Sequence, residues 1–352
     1  LCYFDSDDNT VAKRGDMGER LDKKFERIEQ LKQLLLEHPE GLSRAEIARR
    51  LGVHRSTAGE YIDELSCPPT PLIHEAAPDL FGIDRDRYNV DVQLTLHESL
   101  VLHLAARLFA TRTDKHNPHA ASALRKLGSA LEKFAPLISR HLKLSADVLD
   151  DDSRRRDPIF MQVLETLTRA WSLGKKVHLT HEMEDGKIYE YEFAPYFIEP
   201  YAVGRSVHVI GFRKSLGKAD SVGKVRTFKV ERIRTIKLLD VSYSIPTDFD
   251  SRKTLRDAWG IWFTENEPIE IALRFSRRAA HRVRETEWHY TEKIEEQEDG
   301  SLIWRAQIAG WYEMLSWIKG WGSDCIVLAP DDLRLAIAED IAKAARNYEE
   351  KQ

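Results

Sequence analysis

The sequence predicts a multidomain α+β protein, and three observations predict it. Helical periodicity dominates residues 18–149; from Val177 it gives way to short alternating runs separated by DG, VGR and SVGK; and from residue 268 strand and helix patterns follow one another as β-α-β-β-α-β. A chain of 352 residues with 42% hydrophobic content has room for two or three domains with real cores.

Composition excludes several classes. No apolar run approaches the roughly 18 residues of a membrane span, and the acidic opening LCYFDSDDNT lacks the basic-then-apolar order of a secretory signal, so a cytoplasmic protein is expected. Cys2, Cys67 and Cys325 are few and far apart, which encodes neither a disulfide framework nor a zinc knuckle. The net charge of -5 argues against a surface that coats nucleic acid everywhere but leaves local patches open. The chain begins with Leu, and Met17 stands just before a helical pattern, so residues 1–17 are set apart as a leader or a disordered segment.

The N-terminal part, residues 18–90, opens with one amphipathic helix on Phe25, Ile28, Leu31, Leu34 and Leu35. In LSRAEIARRLGVHRSTAGEYIDEL, Ser43 and Glu46 have capping-box spacing, Gly52 makes a tight break, and Ile47, Ala48, Leu51, Val53, Ala58 and Ile62 supply buried positions. This is a helix-turn-helix pattern. Its second helix would present His54, Arg55, Ser56, Thr57, Gly59 and Glu60 to base edges of duplex DNA, with Arg44, Arg49 and Arg50 near phosphates. The competing reading is a helical hairpin with a solvated basic face. Residues 66–90 read as a β-wing, whose tip Arg85 and Arg87 either reaches a phosphate or is solvated.

Residues 91–157 read as a helical connector ending in the charged hinge DDDSRRRD, where Arg154, Arg155 and Arg156 are more simply a solvated linker than an anion site. His97, His103, His116 and His119 share no ligand spacing, and no metal is expected. Residues 158–245 contain a small all-β unit, read as a barrel. There VRTFKVERI, taken as one strand, puts Arg226, Phe228, Val230 and Arg232 on a single face, and SVHVIGF adds His208 in the parity of Ile210 and Phe212. A guanidinium among apolar side chains needs an internal carboxylate, with Glu199 and Glu231 the nearest candidates, or water, or an arriving anion. HLTHE offers His178, His181 and Glu182, but the two histidines point to opposite faces of a strand, against a zinc site.

Residues 246–265 form a linker, and residues 266–352 give the ferredoxin-like order β-α-β-β-α-β, with Ile269, Ile271, Leu273 and Phe275 on one core face and Leu302, Trp304, Ala306 and Ile308 on another. Trp311, Trp317 and Trp321 read as core anchors rather than base-stacking platforms.

In this order the chain resembles WYL-domain transcriptional regulators of bacteria: a winged helix-turn-helix, a helical connector, an Sm-like β-barrel WYL domain and a WCX C-terminal extension. GRSVHVIGF and VRTFKVERI resemble the family's Gly-Arg-Trp-Tyr-Leu-Val-Gly-Tyr strand and its Arg-x-Phe-x-Leu-x-Arg-Ile segment. Val207, His208 and Val209 replace the name-giving residues, and Ser206 is inserted before them. The resemblance implies a homodimer binding operator DNA. Its barrel would sense a nucleic-acid or nucleotide-type anion, single-stranded DNA included, through Arg205, His208, Arg226 and Arg232. An alternative is a single-stranded nucleic-acid-binding effector without promoter-specific control. No P-loop or nucleophile elbow points to an enzyme, and no cofactor is implied.

Overall fold

The computed structural model describes residues 8–67, 72–85, 88, 92–112, 115–151, 157–201, 206–216, 223–264 and 266–349, with side chains from residue 23 onward except 110–112. It divides into two compact units, residues 1–95 and 96–352.

In the first unit the long helix α1 (Asp8–Glu37) starts well before residue 18, taking in part of the segment set apart as a leader. It buries Ile28, Leu31 and Leu35, spaced at three and four residues as one helical face requires. A two-residue strand β1 (Leu42–Ser43) leads into α2 (Arg44–Leu51), whose first turn is capped by Ser43 Oγ accepting from the Glu46 amide at 3.3 Å. Gly52 closes α2 in the left-handed region at φ +62°, its amide bonded back to the Ala48 and Arg49 carbonyls, and α3 (Arg55–Ser66) follows. Ile47, Ala48, Leu51, Ala58 and Ile62 are buried together, with Val53 partly so.

The hairpin β2 (Ile73–Ala77) and β3 (Leu80–Ile83) completes a three-stranded antiparallel sheet in the order β1-β3-β2. Its tip is at residues 78–79, not at Arg85 and Arg87. Asp79 takes φ +58° there, a conformation that aspartate tolerates, and its amide is held by Glu75 Oε1 at 2.8 Å. Arg85 lies beyond β3 and donates to the Leu36 carbonyl, while Arg87 lies outside the described residues.

The second unit opens with α4 (Leu96–Arg112), α5 (Pro118–Leu131) and α6 (Pro136–Leu149); proline in the first turn fixes the starts of α5 and α6, and Asn117 caps α5. Helix α7 (Pro158–Leu173), capped by Asp157, lays Phe160, Val163, Leu167 and Ala170 on a five-stranded antiparallel sheet. Its strands are β4 (Lys175–Glu182), β5 (Ile188–Tyr201), β6 (Ser206–Ser215), β7 (Lys224–Lys229) and β8 (Ile233–Ser242), in the order β7-β6-β5-β4-β8.

Two expectations about this sheet change. Among the described residues its edges β7 and β8 do not pair, so the sheet is open rather than a closed barrel. Residues 225–240 are not one strand either, because the 3-10 turn Val230–Arg232 interrupts them. The cause is visible in the burial: Val230 and Ile233, three residues apart, are both buried against α7. A strand sends positions three apart to opposite faces, whereas a 3-10 turn brings them to the same side.

After α8 (Ser251–Arg256), the C-terminal part builds β9 (Ile269–Phe275), α9 (Arg277–Arg284), β10 (Lys293–Glu296), β11 (Leu302–Ile308), α10 (Met314–Gly320), β12 (Cys325–Ala329) and α11 (Asp331–Glu349). The sheet order is β10-β11-β9-β12, all neighbours antiparallel, as two interleaved β-α-β crossovers produce. Ile271, Leu273 and Phe275 are fully buried, but Ile269 at the strand's start is 41% exposed. Trp317 packs among Trp259, Trp288 and Trp304, as a core anchor does. No described helix is long and apolar enough to cross a membrane.

Candidate ligand cleft

Strand β6 turns His208 into a cleft of about 1060 Å3, β7 brings Arg226 and Phe228 to it, and the 3-10 turn adds Arg232. Three residues singled out in the sequence therefore meet at one site. Arg205 lies outside the described residues. The far wall comes from the C-terminal part: Trp262, Tyr312, Glu313 and Ser316 border the same space.

The arginines are not neutralised by the carboxylates that sequence proximity nominated. Arg232 meets Glu184 at 3.1 Å, an exposed pair that screening by water weakens. Glu231 turns the other way, accepting the Val207 amide at 3.1 Å, and burial pushes its carboxyl pKa up. Burial likewise raises that of Glu199. One Arg226 nitrogen donates to the Val225 carbonyl at 2.8 Å.

Arg213 also enters the cleft, its guanidinium 5.0 Å from the Tyr191 ring centroid, together with Lys229 and the buried His181. Sequence parity concealed Arg213, because it sits at odd spacing from His208. A register shift between Pro195 and Phe197 on β5, beside Gly211, accompanies the change of side. Gly211 is required there, since a Cβ would stand 2.1 Å from the Ala194 carbonyl oxygen. Glu313 holds the far wall together by accepting the Ile261 and Trp262 amides at 3.2 and 3.0 Å. Tyr201 beside it has its phenol pushed up to about 12 by burial and the Glu313 carboxylate. The chemistry on offer is a cationic, partly desolvated floor with aromatic walls, suited to an anion carrying planar rings.

The candidate DNA-reading residues are arranged in two layers. His54, Arg55, Ser56 and Glu60 are exposed at the start of α3, and Thr57 is partly covered. His54 itself caps the helix, its ring nitrogen accepting from the Ser56 amide at 3.4 Å. Gly59, expected at base edges, is instead buried against the Arg44 side chain, which in turn lies 5.4 Å over the Phe81 ring. Arg49 and Arg50 both bind Glu46, at 2.6 Å, and Arg55 reaches Asp79 at 3.3 Å. These pairs are exposed, so a phosphate can compete for them.

Elsewhere, His116 and His119 meet Asp150 and Glu165 at 3.2 and 2.7 Å, and His178 meets Glu190 at 3.4 Å. Among the described residues no group of three or more His, Cys, Asp or Glu side chains is placed to hold a metal ion.

Two family models match the chain: a WYL domain over residues 162–238 and a WCX domain over residues 267–345. The chain carries a WYL domain followed by a WCX domain. The cleft described above lies mainly on the WYL strands and is closed by WCX residues Tyr312, Glu313 and Ser316. Among solved structures, the chain is similar to proteasome accessory factor B/C (PafBC) of Arthrobacter aurescens, with 18% identity over 92% of this chain and 49% of that one, at a TM-score of 0.32. The chain thus spans about half the length of PafBC. A CRISPR Cas-related protein is also similar, with 9% identity over 74% of this chain and 76% of that one, at a TM-score of 0.40. No curated protein matches the sequence.

Proposed function

We propose that this WYL protein is a DNA-binding transcriptional regulator whose cleft senses a nucleic-acid or nucleotide-type anion and controls promoter binding allosterically. The observation that carries the reading is the convergence of His208, Arg226 and Arg232 on one cleft with aromatic walls. In this reading the first unit is a winged helix-turn-helix, the C-terminal sheet is a ferredoxin-like module, and the protein acts in the cytoplasm as a homodimer on operator DNA. The exposed start of α3 supplies the base-reading surface.

The test is fluorescence anisotropy of a labelled short single-stranded DNA against the intact protein and Arg226→Ala/Arg232→Ala at two salt concentrations, with circular dichroism as the folding control. The double variant is expected to bind at least tenfold more weakly. Its salt dependence should also be shallower by about 1.4 in log-log slope, two phosphate contacts at ~0.7 each. Equal binding by wild type and folded variant would refute the arginine cleft as the sensor. Strand binding with no sequence-specific duplex binding would favour a single-strand effector that regulates no promoter.

A further inference from the structure

His181 on β4 and His208 on β6 are each 5% exposed and both border the cleft. Both ring nitrogens of His181 and Nδ1 of His208 are buried without a well-aligned hydrogen-bond partner among the described residues, the Lys229 backbone making only a weak contact to the His181 ring. Unpaired buried polar atoms cost stability, so their persistence at the wall of a cavity marks a place where a ligand atom belongs.

The surroundings are cationic. On β7, Phe228 packs at a tilt with its ring centroid 4.7 Å from that of His181, and Lys229 follows it; the 3-10 turn supplies Arg232 and β6 supplies Arg213. Tyr201 on β5 meets His208 edge-on at 5.9 Å, and Glu199 is its register partner on that strand. The acidic groups of the cleft each have a partner other than the two histidines: Glu184 has Arg232, Asp185 has Lys187, Glu190 has His178, and Glu313 has two backbone amides and Tyr201. Glu182, next to His181, is held by Arg234 at 2.5 Å.

Burial first, and then the positive neighbours, hold both imidazoles down to about 4; for His181 these are Arg232 and Arg213, and for His208 they are Lys229, Arg232 and His181. The Lys229 backbone and Glu182 oppose this only partly at His181. Both rings are therefore neutral near pH 7. An anion seated against them supplies an acceptor for a ring N–H and offsets the repulsion that disfavours imidazolium.

We propose that His181 and His208 form a subsite for one oxyanion group of the ligand, a phosphate or its equivalent, and that this group binds together with a proton taken from solvent onto the pair. The proposal rests on the reading of the cleft as an anion site. Affinity then rises as pH falls, by up to tenfold per pH unit for each proton taken up.

The test is imidazole NMR of the intact protein, with the two rings assigned through His181→Gln and His208→Gln, titrated over about pH 3.5 to 8 so that the ligand-free midpoints fall inside the range. It is run ligand-free, with sulfate, and with a ten-residue oligothymidylate, two probes whose own charge is constant over that range. At least one of the two rings should move up by about one pH unit or more on saturation, matching roughly tenfold tighter binding per unit of pH fall while it titrates. Unmoved histidines with both anions would overturn the proposal. If sulfate shifts them and the oligonucleotide does not bind, the subsite stands and the nucleic-acid reading falls. If the oligonucleotide binds and shifts neither, the subsite falls and the nucleic-acid reading stands.

Discussion

Glu231 and Arg232 are consecutive residues of one 3-10 turn, yet Glu231 turns to the Val207 amide while Arg232 turns to the cleft. Such a turn has no strict inside and outside, so neighbouring side chains can serve different compartments. The histidines give the residue scale its prediction. Unfolded histidines titrate near 6.5, while His181 and His208 in the folded chain are held at about 4. The unfolded state therefore binds more protons between those values, and the stability these residues contribute is present above pH 6.5 and is lost as pH falls toward 4. The Tm of the ligand-free protein is expected to drop across that window, and His181→Gln/His208→Gln should flatten the drop; a Tm profile identical in the two proteins would contradict it. His208, Arg226 and Arg232 were legible in the sequence because polar side chains interrupt apolar alternation. His181 was legible only as half of an improbable zinc pair, since its significance depends on which groups crowd it, and those come from β6, β7 and the turn.

At the scale of elements, the alternation and capping signals located the strands and helices well. What they missed were places where local and tertiary structure overrule the sequence pattern: the 3-10 turn that buries both Val230 and Ile233, and the hairpin tip set by Asp79 rather than by arginines. Gly211 is a sharp test of the packing around the cleft. Gly211→Ala drives a Cβ into the Ala194 carbonyl and the Phe193 ring, so a loss of about 3 kcal/mol or more is expected in urea unfolding. An unchanged midpoint would mean that β5 and β6 separate without cost. Helix α4 is the other telling element, because Leu96, Leu100, Val101, Leu102, Leu104 and Leu108 are all exposed on it. A helix apolar on several faces is normally covered. These side chains expose several hundred Å2, comparable to the roughly 800 Å2 each partner contributes to a stable dimer, and a second copy supplies an identical apolar face. Sedimentation velocity should find a micromolar dimer that Leu104→Glu/Leu108→Glu weakens at least tenfold; equal association would place the dimer contact elsewhere.

For the whole molecule, the succession of a WYL and a WCX domain could be read because each has its own period and its own turn residues, whereas the closure of the cleft could not. Trp262, Tyr312 and Glu313 lie far along the chain from the arginines, and nothing in their local pattern marks them as facing a site. A cleft built from both WYL and WCX residues gives the ligand a means of favouring one arrangement of these two domains, which is what the proposed control of DNA binding requires. Coupling of this kind is typically about 1 to 3 kcal/mol, or 5- to 150-fold in affinity. The most direct test is the affinity of the intact protein for a duplex selected from genomic fragments, measured with and without saturating short single-stranded DNA. The account predicts a change in duplex affinity within that range, abolished by Arg226→Ala/Arg232→Ala. The same duplex affinity in both conditions, with the strand demonstrably bound in the cleft, would contradict it.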